Sequence, residues 1–106
     1  MPRTGFAFTG AQTNGEVVAA TAGKAIRILR LMFTTSAAAT ISFTDGNDAA
    51  GTRIIYGDFA ANGGGVWEAQ GGLPDPFPVA TLTAATALNV TSSTGNIKGS
   101  VEYVLV

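Results

Sequence analysis

The run Ile26-Arg27-Ile28-Leu29-Arg30-Leu31-Met32-Phe33 changes its apolar side half-way along. Around Arg27 the even positions, Ile26 and Ile28, are apolar. Around Arg30 the odd positions, Leu29 and Leu31, are apolar. Successive side chains of a strand point to opposite faces, so no flat strand with one wet face buries both sets. Two arrangements do. A β-bulge at Ile28-Leu29 adds one residue and shifts the facing parity by one. Alternatively both faces are buried, one in a core and the other against a neighbouring subunit. The two are compatible, and both call for a long strand in a packed β structure.

The rest of the chain fits such a structure. Fourteen glycines and many threonines, with no cluster of strong helix formers, predict short strands and frequent turns. About eight strands are expected: 5–9; 16–21, after the Asn14-Gly15 turn signal; 24–34; 40–44; 52–59; 66–70; 87–91; and 97–106. Thr40–Thr44 alternates cleanly about Ile41 and Phe43, and Asp45-Gly46-Asn47-Asp48 then reads as a turn. Leu73-Pro-Asp-Pro-Phe-Pro78 cannot pair inside a sheet, because proline has no N–H to donate. The Ala- and Thr-rich segment 79–87 allows one helical turn. Alanine runs at 19–22 and 37–39 are too short to nucleate a helix in water. Many short strands with turns every eight to twelve residues imply an all-β sandwich or barrel.

A chain of 106 residues points to one domain, and no linker divides it. It has no cysteine and no histidine, so thiol chemistry, thiolate metal sites and the commonest general base are absent. Charged residues make up 12% of the chain, about half the usual share, and the net charge is −1. Such a surface favours association. Six basic residues scattered among seven acidic ones argue against a nucleic-acid partner, which needs a concentrated basic field. The opening Met-Pro-Arg-Thr-Gly-Phe lacks the apolar core of a signal peptide, and arginines interrupt the apolar runs well short of a membrane span. No membrane partner is expected.

Few constellations offer chemistry. Paired carboxylates run glycoside hydrolysis without histidine. Asp58 and Glu68 flank a Gly-rich loop and are placed to face each other across a hairpin, although solvated rim charges are the blander reading. Asp45 and Asp48 offer oxygens to Ca²⁺ but lack the spaced ligands of a helical calcium loop. Asn62-Gly63-Gly64-Gly65 has no following Lys-Ser/Thr and opens no helix, so it does not read as a phosphate cradle. Trp67, Tyr56 and Tyr103 suit a sugar-stacking platform, or else core and interface anchors. No catalytic residue, metal or cofactor is expected.

The order of segments resembles the decoration (cement) proteins of tailed-bacteriophage heads. The likeness lies in Val17-Val18-Ala19-Ala20-Thr21-Ala22-Gly23-Lys24 leading into Ile26-Arg27-Ile28-Leu29, then Thr40-Ile41-Ser42-Phe43 after a Thr/Ser/Ala-rich turn. Asn62-Gly63-Gly64 before a short strand, Ala87-Leu88-Asn89-Val90 and the closing Gly99-Ser100-Val101-Glu102-Tyr103-Val104 complete it. It covers most of residues 16–106. The resemblance implies a jelly-roll sandwich that trimerises on the outer capsid surface of a virion, clamps neighbouring copies of the major capsid protein, and has no catalytic residues.

The expectation is thus a single-domain, jelly-roll-type antiparallel β-sandwich of about eight strands over residues 16–106, preceded by an arm and first strand over residues 1–15. Phe6 and Phe8 are expected to grip the shell or the adjacent subunit, and Leu73, Pro74, Phe77 and Pro78 to form a second contact. Arg27, Arg30 and Arg53 are candidates to pair with acidic groups on a partner, with plain solvation preferred for Arg53. The rival expectation is a carbohydrate- or receptor-binding module of a phage tail or fibre.

Overall fold

The computed structural model describes residues 2–70 and 78–106. They form nine strands: β1 (Arg3–Phe8), β2 (Gln12–Val18), β3 (Ile26–Thr35), β4 (Ala39–Asp45), β5 (Arg53–Phe59), β6 (Gly64–Glu68), β7 (Ala80–Thr81), β8 (Leu88–Ser92) and β9 (Ile97–Leu105). One sheet runs β1-β9-β3-β6, with the two-residue β7 also on β3; the other runs β2-β8-β4-β5. Every pairing is antiparallel. The chain passes repeatedly between the sheets, and leaving β7 aside its eight strands have the order of a jelly roll.

The change of side in β3 is a bulge. Ile28 lies opposite Tyr103 of β9, and Arg30 lies opposite Glu102, so Leu29 has no partner there. Ile26 and Ile28 before the bulge, and Leu31, Phe33 and Thr35 after it, are consequently all buried. The bulge also divides the other edge of β3. β7 pairs with Arg27 and Ile28, and β6 pairs with Arg30 to Thr34.

Two expectations are corrected. Asn14-Gly15 does not turn the chain; it lies inside β2, where the register shifts between Gln12 and Gly15. Asn14 takes a left-handed φ of 53°, which Asn tolerates, and a bulge uses that conformation as readily as a turn does. Its amide donates to the Thr91 hydroxyl and its Oδ1 accepts from the Asp48 amide, so long-range bonds hold it. Residues 79–87 contain β7 rather than a helical turn. Leu82 from this stretch is buried, and the Val79 and Leu82 amides donate to Ile28 and Ile26 carbonyls. Pairing with β3 outweighs the local alanine propensity.

Aromatic rings fill one half of the core. Phe33 lies 5.1 Å from Phe43, 4.9 Å from Phe59 and 5.6 Å from Trp67, the last nearly parallel to it. Phe6 adds a further neighbour, its centroid 6.0 Å from Phe43. Gly99, opposite both Phe33 and Phe6, makes this close approach possible: any Cβ there would run into the Met32 carbonyl and the Phe6 ring.

Candidate functional site

The outward side of the β1-β9-β3-β6 sheet carries three of the four arginines, Arg3, Arg27 and Arg30. Arg30 on β3 pairs with Glu68 on β6, Nε to Oε1 at 3.1 Å. Arg3 on β1 approaches Glu102 on β9 at 3.7 Å. Such exposed pairs are each worth under about 1 kcal/mol, so they orient side chains more than they hold the fold. Arg3, Glu102, Arg30 and Glu68 stand in one row across the four strands, with Met32 and Val66 on one side of it and Val104 on the other. Met32 is half-buried and sits opposite Val66, which is 52% exposed. Val104, also half-buried, sits opposite Arg27. The Arg27 Nε is buried and makes no hydrogen bond among the described residues. A guanidinium left in that state costs free energy until a partner supplies an acceptor.

The outward side of the second sheet is closed by the chain itself. Ser42 and Thr44 point away from the core, yet both are buried, because residues 46–52 between β4 and β5 fold back over them. The Ser42 hydroxyl donates to Asp48 Oδ1 at 3.0 Å, and Thr44 Oγ1 and Asn89 Nδ2 donate to the Gly46 carbonyl at 2.7 and 3.1 Å. Arg53 Nε donates to Asp48 Oδ1 at 3.1 Å. The Arg53 hydrogen bond holds the Asp48 carboxyl below its ordinary value; desolvation opposes this and the Ser42 bond reinforces it. Arg53 also stacks over Tyr56, 4.1 Å from the ring centroid. Solvation alone therefore does not describe Arg53.

Both carboxylates of the Asp45–Asp48 turn face donors of their own chain, since Asp45 accepts from the Thr83 amide and hydroxyl. Among the described residues no group of three His, Cys, Asp or Glu is placed to hold a metal ion.

Asp58 and Glu68 do not face each other. β5 and β6 belong to different sheets. Asp58 accepts from Thr40 Oγ1 at 2.6 Å on the outside of one sheet, and Glu68 pairs with Arg30 on the outside of the other. The packed core lies between them. Trp67 turns inward onto Phe33, and Tyr103 packs against the core. Tyr56 alone of the three is exposed, at 57%.

Phe6 and Phe8 are part of the sandwich rather than a free arm. β1 pairs with β9 from Arg3 opposite Glu102 to Phe8 opposite Ile97, and both rings pack against the core. Arg3, Gly5 and Ala7 form the outward side of that strand, and all three are exposed. Leu73, Pro74 and Phe77 lie outside the described residues. Pro78 is half-buried at the entry to β7.

A third region was not anticipated from the residues. At one end of the sandwich the β3–β4, β5–β6 and β8–β9 connections meet around a cavity of about 340 Å³, lined by Thr34, Thr35, Ser36, Asn62, Asn96 and Lys98. The Ser36 amide donates to the Asn96 carbonyl, the Asn96 amide to Ser36 Oγ, and the Thr35 amide to the Gly63 carbonyl. The only local signal was the turn chemistry of three separate loops.

No family model, curated protein or solved structure matches this chain.

Proposed function

We propose that this protein is a structural, non-catalytic component of a virion: a capsid decoration protein that trimerises on the outer head surface and clamps neighbouring copies of the major capsid protein. One observation carries the proposal. The outward side of the β1-β9-β3-β6 sheet presents Met32 and Val66 on one side, and Val104 on the other, of a row of paired charges, beside an Arg27 Nε that lacks an acceptor among the described residues. Exposed apolar residues interspersed with paired charges suit a surface that a protein partner covers. Arg27 is suited to a carboxylate or carbonyl on that partner. The jelly roll supports the proposal by analogy only, since viral capsid and lectin domains both use it. A closed threefold ring needs heterologous contacts, and several weak docking sites on one trimer reinforce each other through effective concentration.

The test is sedimentation of the purified protein alone and mixed with emptied phage heads. A trimer that co-sediments with heads is expected; a monomer that ignores them removes the proposal.

The second reading, a carbohydrate- or receptor-binding module, is favoured by the exposed Tyr56 beside Thr40 and Asp58. Arg53 already occupies one face of that ring, which leaves the other for stacking. Glycan-array binding lost in Tyr56→Ala, without binding to heads, would select it.

A further inference from the structure

We infer that the cavity at the loop end of the sandwich is a binding site for a sugar acid, a small ligand combining one carboxylate with several hydroxyls. The site adjoins the Met32–Val66 end of the sheet face, one register row away, but does not depend on the capsid proposal. Its volume, about 340 Å³, falls at the lower end of the range for small-molecule pockets. Its lining is unusual in containing no aromatic and no carboxylate-bearing side chain. A hydrophilic ligand rich in acceptors is therefore indicated.

The distribution of donors narrows the class. The amides of Thr35, Ser36 and Asn96 are engaged with carbonyl and hydroxyl oxygens of the chain. No nest of free backbone N–H groups remains of the kind that cradles a phosphate. The available donors are on side chains. Asn96 Oδ1 accepts from the Gly10 amide, which leaves Nδ2 to donate. The Ser36 hydroxyl accepts from Asn96 and keeps its own proton to give. Lys98 forms no ion pair with any carboxylate among the described residues. One ammonium matches one negative charge, and the surrounding amide and hydroxyl groups match the ligand's hydroxyls. The carboxylate would lie against Lys98, opposite Thr34 in the register of β3 and β9, with the ring between Ser36, Asn62 and Asn96.

The experiment is an NMR titration of the full ¹⁵N-labelled chain with methyl glucuronide, free glucuronate, methyl glucoside and inorganic phosphate. Methyl glucuronide should shift the amides of Ser36, Asn62, Asn96 and Lys98 in a saturable way. Free glucuronate should shift the same amides. Methyl glucoside, which lacks only the carboxylate, should bind about tenfold more weakly, and Lys98→Ala should weaken the glucuronide by a similar factor. The exposed position of Lys98 leaves the fold of that variant intact, checked by its unchanged spectrum elsewhere. The inference is overturned if neither acid shifts these amides, if the glucoside binds as well as the glucuronide, if phosphate reproduces the same shifts at the same concentration, or if Lys98→Ala binds unchanged.

Discussion

The amide of Ala69 donates to the carbonyl of Leu29 at 2.7 Å. Leu29 is the residue that β9 leaves unpaired, so this bond from beyond the end of β6 satisfies an acceptor at the bulge. The bulge is thereby tied to both edges of β3. It sets the facing of ten residues and divides the partner edge between β6 and β7.

Deleting Leu29 should leave cooperative folding in place, because Ile26, Ile28, Leu31 and Phe33 then alternate on one face without a bulge. Deleting Met32 should abolish it, because Phe33 and Thr35, both buried, must then turn to solvent: a one-residue slip moves a whole set of side chains to the other face. Urea denaturation followed by circular dichroism checks this. Leu29→Ala, which keeps the residue count, should still unfold cooperatively.

Phe33→Ala should cost about 3–5 kcal/mol, the usual range for emptying a buried aromatic site. Phe33 meets three other rings, so the cavity cannot close by a single side-chain movement. The fluorescence of Trp67, stacked on Phe33, should change even under conditions where the variant remains folded. Equilibrium unfolding read through that tryptophan tests both expectations.

Acid should loosen the β4–β5 loop through Asp48. Its folded carboxyl is held below the ordinary value of 3.8, chiefly by the Arg53 hydrogen bond. A depressed folded pKa contributes stability that is present above the unfolded value and lost as pH falls through the folded one. Stability should therefore decline on acidification below about pH 4, and Asp48→Asn should flatten that part of the profile while lowering stability at neutral pH. Thermal melts of both proteins across the acid range provide the measurement. The same loop covers Ser42 and Thr44, so their amide hydrogen exchange should quicken in the variant.

Val66→Asp should impair assembly far more than folding. Val66 is 52% exposed, so little burial is lost in the isolated chain, whereas a charge beside Met32 on the edge strand leaves an unpaired, desolvated group in the proposed contact. For the proposed head-bound trimer, sedimentation should show loss of self-association and of head binding with an unchanged melting temperature. An equal loss of melting temperature would place Val66 in the chain's own core.

Much of the β structure was legible because side-chain alternation is local. The parity slip placed the bulge at Ile28-Leu29, and seven of the eight anticipated strands begin within two residues of their observed starts at 3, 26, 39, 53, 64, 88 and 97. The miss at β2 has a physical cause. Asn14-Gly15 has the conformation of a turn, but Thr91 and Asp48 hold it from 77 and 34 residues away, and no window around residue 14 contains them. The Asp58–Glu68 encounter that the residues allowed, with solvated rim charges as the blander reading, does not occur for a related reason: a Gly-rich connection can join strands within a sheet or carry the chain between sheets.

What the residues determined alone was the class of structure and the facing of its longest strand, since both follow from the order of apolar and polar neighbours. Only the tertiary structure decided that Phe6 and Phe8 belong to the core, that Asp48 closes one sheet face, and that Ser36, Asn62, Asn96 and Lys98 surround one cavity. Those outcomes depend on contacts between segments far apart in the chain, and the pairing energy that selects among such contacts is shared by many strands rather than written in any one.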